Sequence, residues 1–188
     1  DRIPTSPPTT APHEPGRLAG AEALYRQVLS LDSRNADSYH SLGGLALQVG
    51  RYDLAVDMIN KAIALNSNAA EFHYNLASAL GAQGKILEVI ASYEQALAIK
   101  PDFPEALCDL GDALLGQGRF IDAAARYEEA LTIKPGLPNA LCSLGNALLG
   151  QGKLTDAAAR YEQALAIKTD FPEALCNLGD ALQGQGKL

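Results

Sequence analysis

Several residue types are scarce in this sequence, and each scarcity argues against a class of protein. Tryptophan is absent, aromatic residues make up 6% of the 188 residues, and mean hydropathy is near zero. A membrane-spanning helix needs a run of about 18 apolar residues, and the sequence contains no run near this length. Lys and Arg number 15 against 22 Asp and Glu, a formal net charge of −7. Nucleic acids and anionic membrane surfaces are bound through clustered basic residues, so neither is expected as a partner.

Cysteine is scarce as well. Three cysteines, an odd number, argue against a disulfide framework and favour a reducing compartment, for which we predict the cytoplasm. The first residue is Asp1 rather than Met, and the last residues fall inside a repeated phrase. We therefore expect a fragment of a longer protein.

Residues that commonly support catalysis are few. The three histidines, His13, His40 and His73, lie in no Ser–His–Asp or HExxH arrangement. Carboxylates are plentiful, but pairs such as Glu128 and Glu129 follow a solvated helix surface. We predict that this chain is not an enzyme and that it binds no cofactor and no metal.

The dominant feature of the sequence is repetition. The phrase LCDLGDALLGQG begins at Leu107 and returns in variant form at Leu141 and Leu175, an interval of 34 residues. One glycine per period keeps the same interval, and each is followed by Arg or Lys. These glycines are Gly16, Gly50, Gly84, Gly118, Gly152 and Gly186.

Each period contains two helical patterns. Apolar residues recur at i, i+3, i+4 and i+7, as on one face of a helix. In the first pattern they are Leu107, Leu110, Gly111 and Leu114, and in the second they are Ala123, Tyr127, Ala130 and Leu131. Gly116 and Gly118 suit a left-handed helix end, and Pro135 follows the second helix. Each period is therefore predicted to be a helix–turn–helix unit.

A repeated chemical site does not explain the repeated phrase. Gly111 and Gly116 have the spacing of a phosphate-binding loop, but Gln117 stands where that loop needs lysine. The cysteines recur in successive units, where helices are roughly 8–10 Å apart, whereas a disulfide needs Cα atoms within about 7 Å. Zinc ligands commonly come in closely spaced pairs, which a 34-residue interval does not provide.

The helix pairs resemble the tetratricopeptide repeat (TPR) family. The small residue of the family's first helix corresponds to Gly43, Ala77, Gly111 and Gly145, and the large residue of its second helix to Ile59, Tyr93, Tyr127 and Tyr161. The resemblance implies an all-α, right-handed solenoid of antiparallel helix pairs with a 34-residue period. It covers a half repeat (16–35), full repeats (36–69, 70–103, 104–137 and 138–171) and a second half repeat (172–188). Residues 1–15, with five of the ten prolines, are predicted to be an extended tail, followed by a helix from Leu18 to Leu31.

The resemblance also implies where a partner binds. In TPR arrays the first helix of each repeat lines a concave groove that holds extended peptides. The corresponding residues here are His40, Tyr74, Asn75, Ser78, Glu105, Cys108, Asp109, Asp112, Asn139, Cys142, Ser143, Asn146, Glu173, Cys176, Asn177 and Asp180. This set is acidic and rich in amides, and it contains no Lys or Arg. We predict a scaffold that binds a basic or neutral protein segment or extended peptide.

Two alternatives remain open. The phrase IKPDFPEALCDLG is similar to the TPR arrays of O-linked N-acetylglucosamine transferases and their bacterial relatives, so the chain is alternatively the substrate-recognition region of a protein O-glycosyltransferase whose catalytic domain lies outside it. The second alternative is a structural module that self-assembles through its ends into a homo-oligomer. Exposed apolar residues are expected there, namely Leu175, Leu178 and Leu182 at one end and Leu24 and Val28 at the other.

Overall fold

The computed structural model describes residues 15–186, and these form ten α-helices without any strand. The helices are α1 (Pro15–Leu31), α2 (Ala36–Gln48), α3 (Tyr52–Leu65), α4 (Ala70–Ala82), α5 (Ile86–Ile99), α6 (Pro104–Gly116), α7 (Phe120–Ile133), α8 (Pro138–Gly150), α9 (Leu154–Ile167) and α10 (Pro172–Gly184). The predicted all-α fold is confirmed, and the four full repeats begin their first helices at the predicted residues. No helix in this part of the chain is both long and apolar enough to cross a membrane.

The first helix begins earlier than predicted. The sequence pattern placed its start at Leu18, whereas α1 begins at Pro15. Proline is well suited to a first helical position, since its missing N–H would have no partner there. Gly16 is consequently the second residue of α1 and does not mark a turn. Residues 1–14, which make up nearly all of the predicted tail, lie outside the described part of the chain.

The helices divide into two compact units, one ending at Ser67 and the other beginning at Asn68. In the N-terminal unit, α1 packs on α2 and α2 packs on α3. In the C-terminal unit each helix from α4 to α10 packs on the next, and α8 also contacts α6 and α10. The first helices of these later repeats therefore lie side by side.

The turn inside each repeat depends on one glycine. Gly50, Gly84, Gly118, Gly152 and Gly186 have φ angles from +69° to +77°, a left-handed conformation that glycine adopts without steric cost. At Gly118 the turn is closed by Arg119 N–H, which donates to Leu114 O at 3.0 Å. Gly116 was also predicted for this role, but it is the last residue of α6 and is not in that conformation.

The core pairs a small residue with a large one inside each repeat. Tyr127 and Tyr161 are fully buried, and their rings lie against the backbones of Gly111 and Gly145. A Cβ atom at Gly145 would lie 2.4 Å from Tyr161 Cε1, which real contacts essentially never show. Helices come this close only because the facing residue has no side chain.

Glutamine side chains join successive repeats in the C-terminal unit. Gln151 Nε2 donates to Phe120 O at 3.1 Å, and Gln185 Nε2 donates to Leu154 O at 3.0 Å. Beside these bonds, the rings and methyls of Phe120 and Leu154 lie over Gly150 and Gly184. At these two junctions the glycine allows close approach, and the glutamine adds a hydrogen bond to a carbonyl of the preceding helix.

The predicted apolar ends are only partly exposed. Leu24 and Val28 are 64% and 38% exposed on α1, and Leu175 is 52% exposed on α10. Leu178 and Leu182 are half-buried, since α10 packs against α9 and α8. The predicted exposure therefore holds for Leu175 and falls short for the other two leucines of α10.

Candidate functional site

The predicted binding residues lie on the first helices of the repeats. His40 is half-buried on α2, in the N-terminal unit, and the others lie on α4, α6, α8 and α10 of the C-terminal unit. We call these fifteen residues of the C-terminal unit the groove face. Its exposed members are Ser78, Glu105, Asp112, Asn139, Glu173, Cys176 and Asp180, and its half-buried members are Tyr74, Asn75, Cys108, Asp109, Ser143, Asn146 and Asn177.

Cys142 is the exception. It is 2% exposed, because α8 is packed between α6 and α10, and it is therefore a core residue rather than a contact surface. The equivalent Cys108 is half-buried and Cys176 is exposed, and all three thiols are free. Cys142 was predicted to line the groove together with Cys108 and Cys176, and its burial removes it from that surface.

Tyrosine hydroxyls reach the groove face from behind. Tyr127 on α7 donates to Asp112 Oδ1 at 2.6 Å, and Tyr161 on α9 donates to Asn146 Oδ1 at 2.8 Å. In both cases the tyrosine follows its acceptor by 15 residues. The ring fills the core while the hydroxyl fixes a polar side chain of the groove face, so one residue links packing to the site.

A second set of contacts joins neighbouring repeats. Asn177 Nδ2 on α10 donates to Asn146 Oδ1 at 2.8 Å, so this oxygen accepts two hydrogen bonds. Asn146 Nδ2 in turn lies 3.5 Å from Glu173 Oε1. Asn146 and Asn177 are therefore bonded to each other across α8 and α10, which fixes the orientation of both amides.

Tyr74 forms the corresponding contact between α4 and α6. Its hydroxyl donates to Asp109 Oδ2 at 2.7 Å, and its ring centroid lies 4.9 Å from that of Phe103 and 5.6 Å from that of Tyr93. Lys100 Nζ lies 4.6 Å from the centroid of the Phe103 ring. This aromatic cluster borders the acidic part of the groove face.

Side chains on and beside α6 have raised pKa values. Burial raises the pKa of the Asp109 carboxyl above its usual range; the hydrogen bond from Tyr74 opposes this, and the negative charge of Asp112 adds to it. Burial and the charge of Asp109 likewise raise the pKa of Tyr93 to about 12. A site that disfavours its own negative charges gains from a cation placed among them.

The thiols of Cys108 and Cys142 have raised pKa values and are poor nucleophiles. Burial, followed by the charges of Asp112, Asp109 and Glu105, raises the pKa of Cys108 to about 11. Burial and the charge of Glu173 raise the pKa of Cys142 to about 11. Nucleophilic cysteines need a lowered pKa, and these two thiols stay protonated at neutral pH. Among residues 15–186, no group of three or more His, Cys, Asp or Glu side chains is arranged to hold a metal ion.

A small cavity lies on the groove face between α6 and α8. Its volume is about 250 Å³, and Asp109, Asp112 and Tyr127 line one side while Asn139 and Ser143 line the other. Two carboxylates opposite neutral polar groups favour a positively charged group. The cavity size suits one side chain rather than a whole cofactor.

The sequence alone did not reveal the role of the tyrosine hydroxyls. Tyr93, Tyr127 and Tyr161 were interpreted only as large core residues. A signal was present, since a tyrosine and not a phenylalanine follows a polar groove residue by 15 positions in each of three repeats. A buried hydroxyl needs a partner, and that constant spacing identifies the partner.

Comparison with protein families supports the repeat interpretation. A family model described as TPR repeat matches residues 78–118, 111–152 and 145–186. A second model, described as tetratricopeptide repeat, matches residues 15–70. No curated protein sequence gives a significant match.

Solved structures with the same fold include MamA, PilF and YrrB. MamA is 28% identical, with 82% of this chain and 90% of that chain covered and a TM-score of 0.77. PilF of Pseudomonas aeruginosa is 25% identical, with 83% and 72% covered and a TM-score of 0.71. YrrB, described as a TPR protein with an unusual peptide-binding site, is 23% identical, with 86% and 83% covered and a TM-score of 0.76; at this identity it supports the fold alone.

Proposed function

Because the chain belongs to the tetratricopeptide repeat family, we propose that it is a protein-interaction scaffold whose groove face binds a basic or neutral extended segment of a partner protein. The observation that carries the charge preference is the acidic character of this face. Glu105, Asp112, Glu173 and Asp180 are exposed on it, Asp109 is half-buried, and no Lys or Arg belongs to it.

The distribution of charge along the chain supports this preference. Residues 68–188 contain nine Lys and Arg against fifteen Asp and Glu, whereas residues 15–67 contain five of each. The negative charge is thus concentrated in the unit that contains the groove face. Complementary potentials increase the rate of association and reject partners of like charge.

The cavity between α6 and α8 gives the binding mode its anchor. A Lys or Arg side chain of the partner would enter this cavity of about 250 Å³ and approach Asp112 and Asp109. Asn177 has a carboxamide oxygen and a second N–H beyond its bond to Asn146, and these can hold a peptide backbone. The partner segment would then lie across α6, α8 and α10.

Peptide binding measured by fluorescence anisotropy tests this proposal. Short peptides of Lys and Ala should bind more tightly than peptides of Ala and Ser, and these more tightly than peptides of Glu and Ala. Asp109→Lys with Asp112→Lys should weaken the basic peptide at least tenfold. The matched control is Asp156→Lys with Glu162→Lys, which makes the same change in net charge on the exposed surface of α9. Equal losses in both variants, or tighter binding of the acidic peptide, would contradict the proposal.

Self-association is a second candidate function, favoured by the 52% exposure of Leu175 on α10. A second copy covering this face would remove apolar surface from water at about 25 cal/mol per Å². Light scattering of the 188-residue chain should then show a mass that grows with concentration, and Leu175→Glu should restore the monomer. A monomer at high concentration would exclude this function for the chain.

The glycosyltransferase alternative gains no support from the structural neighbours reported above, and we do not favour it.

A further inference from the structure

The N-terminal unit contains a second cavity, of about 770 Å³, formed by α1, α2 and α3. Its lining on α2 includes Tyr39, Leu42, Leu45 and Val49. The family's groove positions on the same helix are His40, Ser41 and Gly44, so the cavity lies on a different face of α2. Volumes of roughly 300–1,000 Å³ with a largely apolar lining are typical of binding sites.

Four lining residues depart from every later repeat, and each departure makes the cavity more apolar. Their counterparts are Ala79, Ala113, Ala147 and Ala181 for Leu45; Gln83, Gln117, Gln151 and Gln185 for Val49; Glu88, Asp122 and Asp156 for Leu54; and Ser92, Arg126 and Arg160 for Met58. The later repeats act as an internal comparison for what stacking alone requires. Stacking does not require these four apolar side chains, yet all four line one cavity.

One of these departures, Val49, lies at the junction of α1 with α2. In the C-terminal unit Gln151 and Gln185 tie two junctions together by donating to Phe120 O and Leu154 O, beside Gly150 and Gly184. The N-terminal unit has Val49 in place of that glutamine and Gln48 in place of that glycine. Valine has no donor for the carbonyl, and Gln48 carries a side chain where Gly150 and Gly184 have none. The junction of α1 with α2 therefore lacks both closing devices.

The dimensions of the cavity fit a helix. Its lining on α1 runs from Leu18 to Ser30, which corresponds to about 18 Å at about 1.5 Å per residue. Such a length accommodates about three helical turns, along which apolar side chains at i, i+3, i+4 and i+7 form one stripe. Val49, 53% exposed, extends the apolar surface to the edge of the cavity.

Charge at the rim indicates which helix fits. Glu22 and Arg26 on α1 pair with each other at 2.7 Å. Arg51, the third charged residue of the lining, makes no ion pair with any of residues 15–186. A carboxylate beside the apolar stripe of a partner would complement Arg51, whereas a basic partner would meet an uncompensated cation.

We propose that this N-terminal cavity docks an amphipathic α-helix of a partner protein, with aliphatic residues facing Leu45, Val49, Leu54 and Met58 and a carboxylate reaching Arg51. The site is separate from the groove face and does not depend on the function proposed for it. The chain would thus hold two partners, or two segments of one partner, by different chemistry.

Binding of designed peptides tests the proposal. The probe is a fluorescent peptide of about 15 residues with Leu at i, i+3, i+4, i+7 and i+11 and Glu and Ala elsewhere, a length close to the stretch of α1 that lines the cavity. One comparison peptide has the same composition with alternating leucines, and another has Lys in place of Glu. The helical acidic peptide should bind the 188-residue chain at least tenfold more tightly than either.

The variant that closes the site is Leu54→Asp with Met58→Arg, because later repeats fold with Asp122 and Arg126 at these positions. It should weaken the helical acidic peptide at least tenfold, with unchanged helical circular dichroism. The matched control, Asp156→Leu with Arg160→Met, makes the reverse exchange in a later repeat and should leave binding unchanged. Arg51→Glu should reverse the preference between the Glu and Lys peptides.

Other occupants give distinct results. A tenfold gain in affinity on deleting residues 1–14 would identify that segment as the occupant and overturn the proposal. A dimer dissociated by Leu54→Asp with Met58→Arg would identify a second copy and also overturn it. Binding of oleate without binding of the helical peptide would assign the cavity to an acyl chain, and equal binding of all three peptides would remove the site.

Discussion

Replacing Gly145 by alanine isolates the contact on which each repeat is built. The new Cβ would lie 2.4 Å from Tyr161 Cε1 and 2.8 Å from Cδ1 and Cζ, and these atoms belong to a rigid ring that is fully buried. Ordinary contacts begin at 3.4 Å, so the ring or the helix must move by about 1 Å. Overpacking of this kind costs about 1–3 kcal/mol.

A hydrogen bond and helix propensity also contribute to the change in the free energy of unfolding. Moving the ring disturbs the 2.8 Å hydrogen bond from the Tyr161 hydroxyl to Asn146, a loss of about 1 kcal/mol. Alanine in a helix interior recovers about 1 kcal/mol relative to glycine. Gly145→Ala is therefore expected to lower the free energy of unfolding by about 1–3 kcal/mol.

The chain supplies its own control. Gly179 occupies the same repeat position on α10, and a Cβ there would meet nothing within 4 Å. Gly179→Ala should therefore gain up to about 1 kcal/mol from helix propensity alone. Urea unfolding followed by circular dichroism measures both variants, with the m value checked because repeat arrays do not always unfold in two states. If Gly145→Ala proves as stable as Gly179→Ala, the account of the small–large pair is wrong.

Three other predictions concern the site. Asp109→Asn retains an acceptor for Tyr74 and removes a carboxylate whose pKa is raised in the fold. Because the ionised form of such a group destabilises the fold, the variant should have a higher melting temperature than the parent at pH 7. This difference in melting temperature should disappear as the pH falls through the folded pKa of Asp109. Equal or lower melting of the variant at pH 7 would contradict this. Tyr161→Phe should cost about 1 kcal/mol in urea unfolding, because Asn146 loses one of two donors; no change would show that the hydroxyl contributes nothing. Iodoacetamide at pH 8 should modify Cys176 first and Cys142 last, following their exposure, and peptide mapping measures this order. Cys142→Ser should lower the melting temperature more than Cys176→Ser does, because it buries a hydroxyl, and melting curves of the two variants measure this difference.

The fold was predictable because each position of the repeat occurs several times in the sequence, so its residue preference can be identified. The apolar stripe of Leu107, Leu110 and Leu114 lies in the core as its spacing predicts. A left-handed turn needs glycine, which is why Gly118 and its counterparts locate the turns so well. The start of α1 was less predictable, because proline is compatible both with an extended tail and with a first helical turn.

The site was less predictable than the fold, because neighbours decide what a helix face exposes. Cys108, Cys142 and Cys176 occupy one repeat position, yet they are half-buried, buried and exposed. The hydrogen bond from Asn177 to Asn146 depends on the distance between α8 and α10, which no single-helix pattern contains. Periodicity identifies the face that points away from the core of one repeat, and packing of the next repeat then covers part of it.

Departures from the repeat's own pattern carry the information that periodicity leaves out. Where the four later units share alanine or glutamine, stacking explains the choice, as at Ala113 and Gln151. Leu45 and Val49 break that rule, and both line a cavity in the N-terminal unit, whereas the junctions at Gln151 and Gln185 are closed by hydrogen bonds. An apolar side chain at an open surface lowers solubility without aiding the fold, so its presence beside a second such residue is better explained by a partner than by packing. The same reasoning gives Val49→Gln a definite outcome: it should improve solubility, keep the helical content, and weaken the helical acidic peptide, and unchanged peptide affinity would contradict it.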